Sequence, residues 1–299
     1  MDGLTLGDTL QVNSVIWITS LDEGERGPSR RMVEDLAPLA TAADMRFEEV
    51  AVGDRAGLLS ALSVVTDDAG RGLRPILHFD CHGSAEHGLA LRPSGEYLAW
   101  GELVDALRML NSATRNNLCC VFGVCFGLHM SRELRLSLPT PYYLTIAPES
   151  EISVGVLEER TTPFYREVFE TGDITAAYAK VLKPDLRLFL CKAVMAEALA
   201  VYIAGNCVGA EARARRERMV TAVLAKERIT EPTTAQLGDA RRKVKTALEP
   251  SQALIDHYAS TFLLGRDPGF GFTELQRLAD VQVKRARLGE RRLAPRRGR

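Results

Sequence analysis

A chain of 299 residues, 46% hydrophobic and 26% charged, has the profile of a soluble globular protein with room for one large domain or two ordinary ones. No apolar run reaches the roughly 18 residues of a membrane span, and the opening MDGLTLGDTLQ lacks the basic-then-apolar order of a signal peptide, so a cytoplasmic protein without a membrane partner is expected. Six cysteines at this length read as reduced thiols, and the net charge of −1 hides an asymmetry: 22 Lys+Arg against 13 Asp+Glu from Pro184 onward, 16 against 26 before it.

The first 150 residues alternate between strands and helices. SVIWITSL (Ser14 to Leu21) is a short β-branched apolar run and reads as a buried strand. SRRMVEDLAPLATAADM has helical apolar spacing, RFEEVAV reads as a second strand, and DRAGLLSALSVVTDDAG as a helix capped by Asp54 and ending at Gly70. RPILHFDCHG is a third strand running into a turn at Gly83, and HGLALRPSGEYLAW a hairpin about Pro93-Ser94-Gly95. GELVDALRMLNSA is a helix, NLCCVFGVC a fourth strand and PYYLTIAPES a fifth. Strands separated by helices predict a parallel-rich sheet flanked by helices, an α/β fold with its ligand site at the strands' carboxyl ends.

From Thr162 the pattern turns helical. DLRLFLCKAVMAEALAVYIAGN reads as one long apolar helix, and VGAEARARRERMVTAVLAKERI, TTAQLGDARRKVKTALE, SQALIDHYASTFLLG and TELQRLADVQVKRARLG complete a bundle without a fixed repeat. The expected organisation is an α/β domain over 1–183, a helical domain over 184–290, and a basic disordered tail over 291–299.

Two strand ends carry chemistry. VFGVCFGLHM puts Cys125 between Gly123 and Gly127 after a strand and before a predicted helix, an elbow that would lift the sulfur out of the sheet and set it near a helix amino terminus. HFDCHG ends the third strand with His82 and Gly83. A cysteine nucleophile needs an imidazole to take its proton and return it to the leaving amine, and backbone N–H donors for the oxyanion. The pair is 43 residues apart, with one hairpin and one helix between, a single crossover, so both fall on one rim. The Gly83 and Cys125 amides are the candidate oxyanion donors. Asp80 shares the strand face of His82; it either orients the imidazole or bonds backbone at the strand end, and it is kept among the substrate-side candidates.

A strand ending in DCHG followed by one ending in GVCFG resembles the caspase-like clan of cysteine peptidases, and most of all its CHAT-type bacterial members. The stretch PFYREVFETGDITAAYAKV, with Phe164-Tyr165 opening a helix after a loop, fits the same likeness, which spans roughly residues 10 to 183. The resemblance implies a cysteine endopeptidase with His82 as base and acid and Cys125 as nucleophile, and no cofactor or metal. It implies a protein substrate cut at a specific site, as in bacterial defence systems, and a pocket lined by Glu149, Ser150 and Glu151. Members that cut after Arg or Lys often carry an acid two positions before the cysteine; Gly123 stands there, so Glu149 or Glu151 would supply the charge or the pocket is neutral. The helical half would receive an activating protein or ligand.

Three other readings compete. The elbow is close to that of glutamine amidotransferases, but their downstream His-x-Glu has no counterpart; the later histidines are His129 and His257. His78, Asp80 and His82 alternate on one strand and could ligate zinc with His87, though a hydrolytic site wants ligands from elsewhere too. Third, the chain could be a scaffold whose helices bearing Arg213, Arg215, Arg216, Arg218, Arg241, Arg242, Lys243 and Lys245 bind a partner or nucleic acid; aromatics are scarce there, and such runs are usually solvated helix faces.

Overall fold

The computed structural model describes residues 10–293, so residues 294–299 of the expected basic tail lie outside the described residues, while 291–293 close the last helix. Of the described residues, 10–192 and 259–267 form one compact unit, and 193–258 with 268–293 the other.

The first unit is an eight-stranded, mostly parallel sheet between two pairs of helices. Its main strands are β1 (Ser14–Ser20), β2 (Arg46–Ala51), β3 (Pro75–Ser84), β6 (Cys119–Phe122), β7 (Leu144–Ala147) and β8 (Arg187–Leu190), in the order β2-β1-β3-β6-β7-β8. The hairpin β4 (Gly88–Leu91) and β5 (Glu96–Leu98) hangs antiparallel on the far end of β3. Every residue of β1 is buried because both sheet faces are covered there, whereas the edge strand β2 has no buried residue. Helices α2 (Arg55–Gly70) and α3 (Trp100–Ala113) cover the face of Ile16, Ile18, Leu77, Phe79, Cys120 and Phe122. Asp54 caps α2 as expected, accepting the Gly57 N–H at 2.7 Å.

Helices α1 (Arg26–Ala42) and α4 (Val154–Thr171) pack together against the opposite face, to which strand alternation sends Trp17, His78 and Asp80. On that face the Trp17 and His78 rings stack across β1 and β3 with centroids 3.7 Å apart, and the Tyr165 hydroxyl of α4 lies 3.0 Å from His78 Nδ1. Burial lowers the His78 pKa to about 3, so this histidine stays neutral.

Three expectations are corrected. The stretch 185–206 is not one helix: Arg187–Leu190 pairs antiparallel with β7, and α6 (Cys191–Asn206) starts only afterwards. Four residues, RLFL, are too short for a period that tells strand from helix, and the open edge of β7 decides it. The sheet unit therefore runs past 183, to 192. Second, α4 begins at Val154, capped by Ser153, ten residues before Phe164, and Pro163 lies inside it. Third, Cys125 is followed not by an α-helix but by a seven-residue 3₁₀ turn, Gly127–Glu133. After α4 the chain forms the short α5 (Ile174–Ala177) and a π turn over Tyr178–Leu182.

Residues 259–267 return to the sheet unit: the Phe262 carbonyl accepts the Thr140 N–H at 2.9 Å, and the Leu263 carbonyl accepts Asn116 Nδ2 at 2.9 Å. The second unit is helical, with α7 (Gly209–Lys226), α8 (Thr234–Leu248), the start of α9 (Gln252–Thr261) and α10 (Phe272–Leu293). Val220, Leu224, Ala240 and Val244 form the seam of α7 and α8. Part of the basic surface of this unit is paired: Arg241 with Glu217 at 3.0 Å, and Arg242 and Lys243 both with Asp239 at 2.8 Å. Among the described residues no single helix is long and apolar enough to cross a membrane.

Candidate active site

Parallel pairing in the order β1-β3-β6 brings three strand ends to one rim: the turn after β1, the His82-Gly83 end of β3, and the Cys125 loop after β6. There Glu25, Asp80, His82, Gly123 and Cys125 line one cavity of about 280 Å³. Its remaining walls are largely apolar, with Leu21, Met32, Ile152, Val154 and Leu157 among them. The two candidates for base and nucleophile thus share one enclosed space with solvent access.

The contact between the two strand ends is close. A Cβ on Gly83 would stand 2.1 Å from the Cys125 carbonyl oxygen and 2.5 Å from Val124 Cγ1, so only glycine lets the His82-Gly83 backbone lie against Cys125. Phe126 takes the left-handed conformation at φ 60°, which turns the chain sharply after Cys125, and its N–H is held by the Ser150 carbonyl at 3.0 Å. The Cys125 N–H makes no hydrogen bond among the described residues, which leaves it available to an oxyanion.

The sulfur is served by a neighbouring loop rather than by a helix dipole. The Ile152 N–H points at Cys125 Sγ from 3.4 Å, and the Ile152 carbonyl lies 3.6 Å from the same sulfur. Cys125 is only partly buried, whereas Cys81, Cys119, Cys120 and Cys191 are enclosed, and burial pushes all four thiols up, that of Cys191 to about 12. Cys207, in the other unit, is also partly accessible, and burial raises its thiol.

His82 has a partner that sequence reasoning missed. Its Nε2 lies 3.1 Å from Glu25 Oε1, which leaves Nδ1 outside this contact. Burial works to raise the Glu25 carboxyl, but the His82 charge and hydrogen bond, the Asp22 backbone and Arg92 outweigh it, and the net shift is downward. Glu25 thus stays ionised beside the imidazole. The signal was present: Asp22, Glu23 and Glu25 follow the carboxyl end of β1, the strand that pairs with β3. The two side chains are 45% and 38% exposed, so water screens the pair. If His82 serves Cys125 as base, Glu25→Gln is expected to lower kcat about two- to fivefold with KM little changed, in steady-state kinetics of the purified protein.

Asp80 does not contact the imidazole by hydrogen bond. It is 6% exposed, and Ser29 and Trp17 lie beside its carboxyl. Burial pushes the Asp80 carboxyl up and Glu49 adds to this, against the pull of Ser29, Trp17 and His82. An acid whose native pKa lies above its unfolded value stabilises the fold less as pH rises, because the unfolded chain releases its proton first. Asp80→Asn is accordingly expected to gain stability over the wild type as pH climbs from about 3.8 through the raised native value, and to hold that gain above it. Urea titrations between pH 3 and 8 read this out; parallel stability curves for the two proteins would contradict it.

Glu149, Ser150 and Glu151 are exposed and do not line the cavity; Glu149 Oε2 faces Arg187 Nε at 3.7 Å. The same loop contributes Ile152, and the first turn of α4 contributes Val154. His129 is held between the Ala85 carbonyl at 3.2 Å and Arg132, away from the role of a base for Cys125. His78 is enclosed by Trp17 and Tyr165, and among the described residues no group of three or more His, Cys, Asp or Glu could hold a metal ion. No protein-family model matches the chain, and no curated protein sequence matches it.

Proposed function

We propose that the protein is a cysteine endopeptidase of caspase-like architecture, with His82 and Cys125 as its catalytic pair. The observation that carries this reading is the shared cavity at the carboxyl ends of β3 and β6, with Gly83 seated against the Cys125 backbone. His82 takes the Cys125 proton through Nδ1, and the thiolate adds to the scissile carbonyl to give a tetrahedral oxyanion facing the Cys125 and Gly83 amides. Collapse of this adduct breaks the C–N bond as the imidazolium gives its proton to the departing amine, leaving a thioester on Cys125. Water, deprotonated by the same imidazole, then adds to the thioester, and its collapse releases the acid and restores the thiol. Glu25 holds the ring through Nε2 in both half-reactions. The substrate is a protein partner cut at one site, in keeping with a pocket set on a single rim, and the helical unit is the candidate for its docking or for activation.

Site-resolved labelling with peptidyl acyloxymethyl ketones tests the pair. Labelling at Cys125 in the wild type that disappears in both Cys125→Ala and His82→Ala is the expected outcome. Cys125 as inert as the buried Cys119 and Cys120 would sink the proposal and leave a binding scaffold as the better reading.

A further inference from the structure

We infer that the helical unit carries a binding site for a phosphate group, held by Arg215, Arg216 and Lys245 in a cavity between α7 and the end of α8. The site does not rest on the peptidase reading. Three observations carry it.

First, the three cations line one space of about 170 Å³, all of whose lining residues belong to the helical unit. A space of this size takes a small anion or the phosphorylated end of a small molecule. Glu249 lines it too, so three cations face one carboxylate. The surplus of positive charge answers the charge of a phosphate monoester, roughly −1.5 to −2 at pH 7. Second, the basic residues of α7 and α8 divide by what they meet. Arg241 pairs with Glu217, and Arg242 and Lys243 pair with Asp239. Arg213 and Arg218 are exposed and do not line the cavity. Arg215 and Arg216 are partly buried, and among the described residues neither they nor Lys245 pair with a carboxylate. Guanidinium groups gathered at a partly dry wall without a counter-ion repel one another, and a bound anion removes that cost.

Third, both guanidinium groups are held by neutral partners. Arg215 Nη1 donates to the Tyr202 hydroxyl at 2.6 Å, and its guanidinium carbon lies 5.4 Å from the centre of the Tyr202 ring. Arg216 Nε donates to the Ala212 carbonyl at 3.1 Å, which leaves its two terminal nitrogens for a ligand. A guanidinium fixed along one edge presents its other N–H groups in a set fork, the arrangement that suits phosphate oxygens. The Asn206 amide adds a neutral donor to the wall, while Leu248 and Pro250 offer apolar surface to a carbon skeleton bearing the phosphate.

Cys207 lines the cavity and is partly accessible, so its alkylation by iodoacetamide, read by peptide mass in the full-length protein, reports occupancy. A bound anion fills the space and disfavours the thiolate, and both effects slow the reaction. Inorganic phosphate and phenyl phosphate are each expected to slow Cys207 alkylation saturably, by roughly tenfold, while sodium chloride at matched ionic strength does not. Arg215 touches the reporter thiol, so the variants are made elsewhere. Arg216→Gln and Lys245→Gln should each raise the half-protecting concentration about tenfold, and Arg213→Gln and Arg218→Gln less than about twofold. Tighter protection by phenyl phosphate assigns the site to a phosphate monoester, and tighter protection by inorganic phosphate assigns it to the free ion. Alkylation that neither compound slows overturns the inference. So does protection that Arg213→Gln weakens as much as Arg216→Gln, and so does protection by a DNA duplex alone, which would make these helices a surface for a nucleic-acid backbone.

Discussion

Gly83→Ala is expected to silence Cys125 while leaving both His82 and Cys125 in the chain. The added methyl would lie 2.1 Å from the Cys125 carbonyl oxygen and 2.5 Å from Val124 Cγ1, and the first of these is backbone that cannot rotate away. The two strand ends must part by an ångström or more. On the proposed mechanism, misplacement on that scale would cost on the order of 10²-fold in rate, because the imidazole, the sulfur and the oxyanion donors would no longer converge on one carbonyl. The same overpacking destabilises the fold by about 1–3 kcal/mol. Rate of Cys125 labelling and a thermal melt, taken together, separate the two effects. Gly123→Ala is the control: its Cβ would find nothing closer than 3.4 Å, so the backbone need not move. Equal labelling of Gly83→Ala and wild type would mean that the contact between the strand ends is incidental to the chemistry.

Much of this site was legible in the chain because its parts are short and locally encoded. An apolar run that stops at His-Gly, and another that stops at Gly-x-Cys-x-Gly, mark the two strand ends that meet at the cavity. Parallel pairing of β3 with β6 then follows from a single crossover. What escaped depends on partners remote in sequence. Glu25 reaches His82 from 57 residues away, and only the adjacency of β1 and β3 makes it a neighbour. Strand β8 exists because β7 offers an open edge, a fact absent from the four residues Arg187 to Leu190. The predicted helix after Cys125 gave way to a 3₁₀ turn because Phe126 turns left-handed and the Phe126 and Leu128 N–H groups bond the Ser150 and Pro148 carbonyls. Asp80 is intermediate: its strand face was readable from alternation, but the Ser29 and Trp17 groups beside it come from elements remote in sequence.

On the peptidase reading, His82→Ala and Cys125→Ala should each lower peptide turnover by on the order of 10⁴-fold or more, and the double variant should be no slower than the slower single. On the proposed mechanism the imidazole would act only through the proton of Cys125 and of the amine or water that reacts there, so removing either group would remove the same pathway. Independent contributions would multiply instead. Stability is a poor alternative explanation for the loss, since His82 is 45% exposed and Cys125 only partly buried, and trimming such side chains shifts stability by about 0.5 kcal/mol. Glu25→Gln supplies the contrast within the same network. It weakens the hold on the ring without removing proton transfer, so its few-fold effect should persist against wild type and vanish against His82→Ala. A cycle in which His82 and Cys125 multiply, or in which Glu25→Gln still slows the His82→Ala protein, would separate the histidine from the thiol and assign Cys125 some other base.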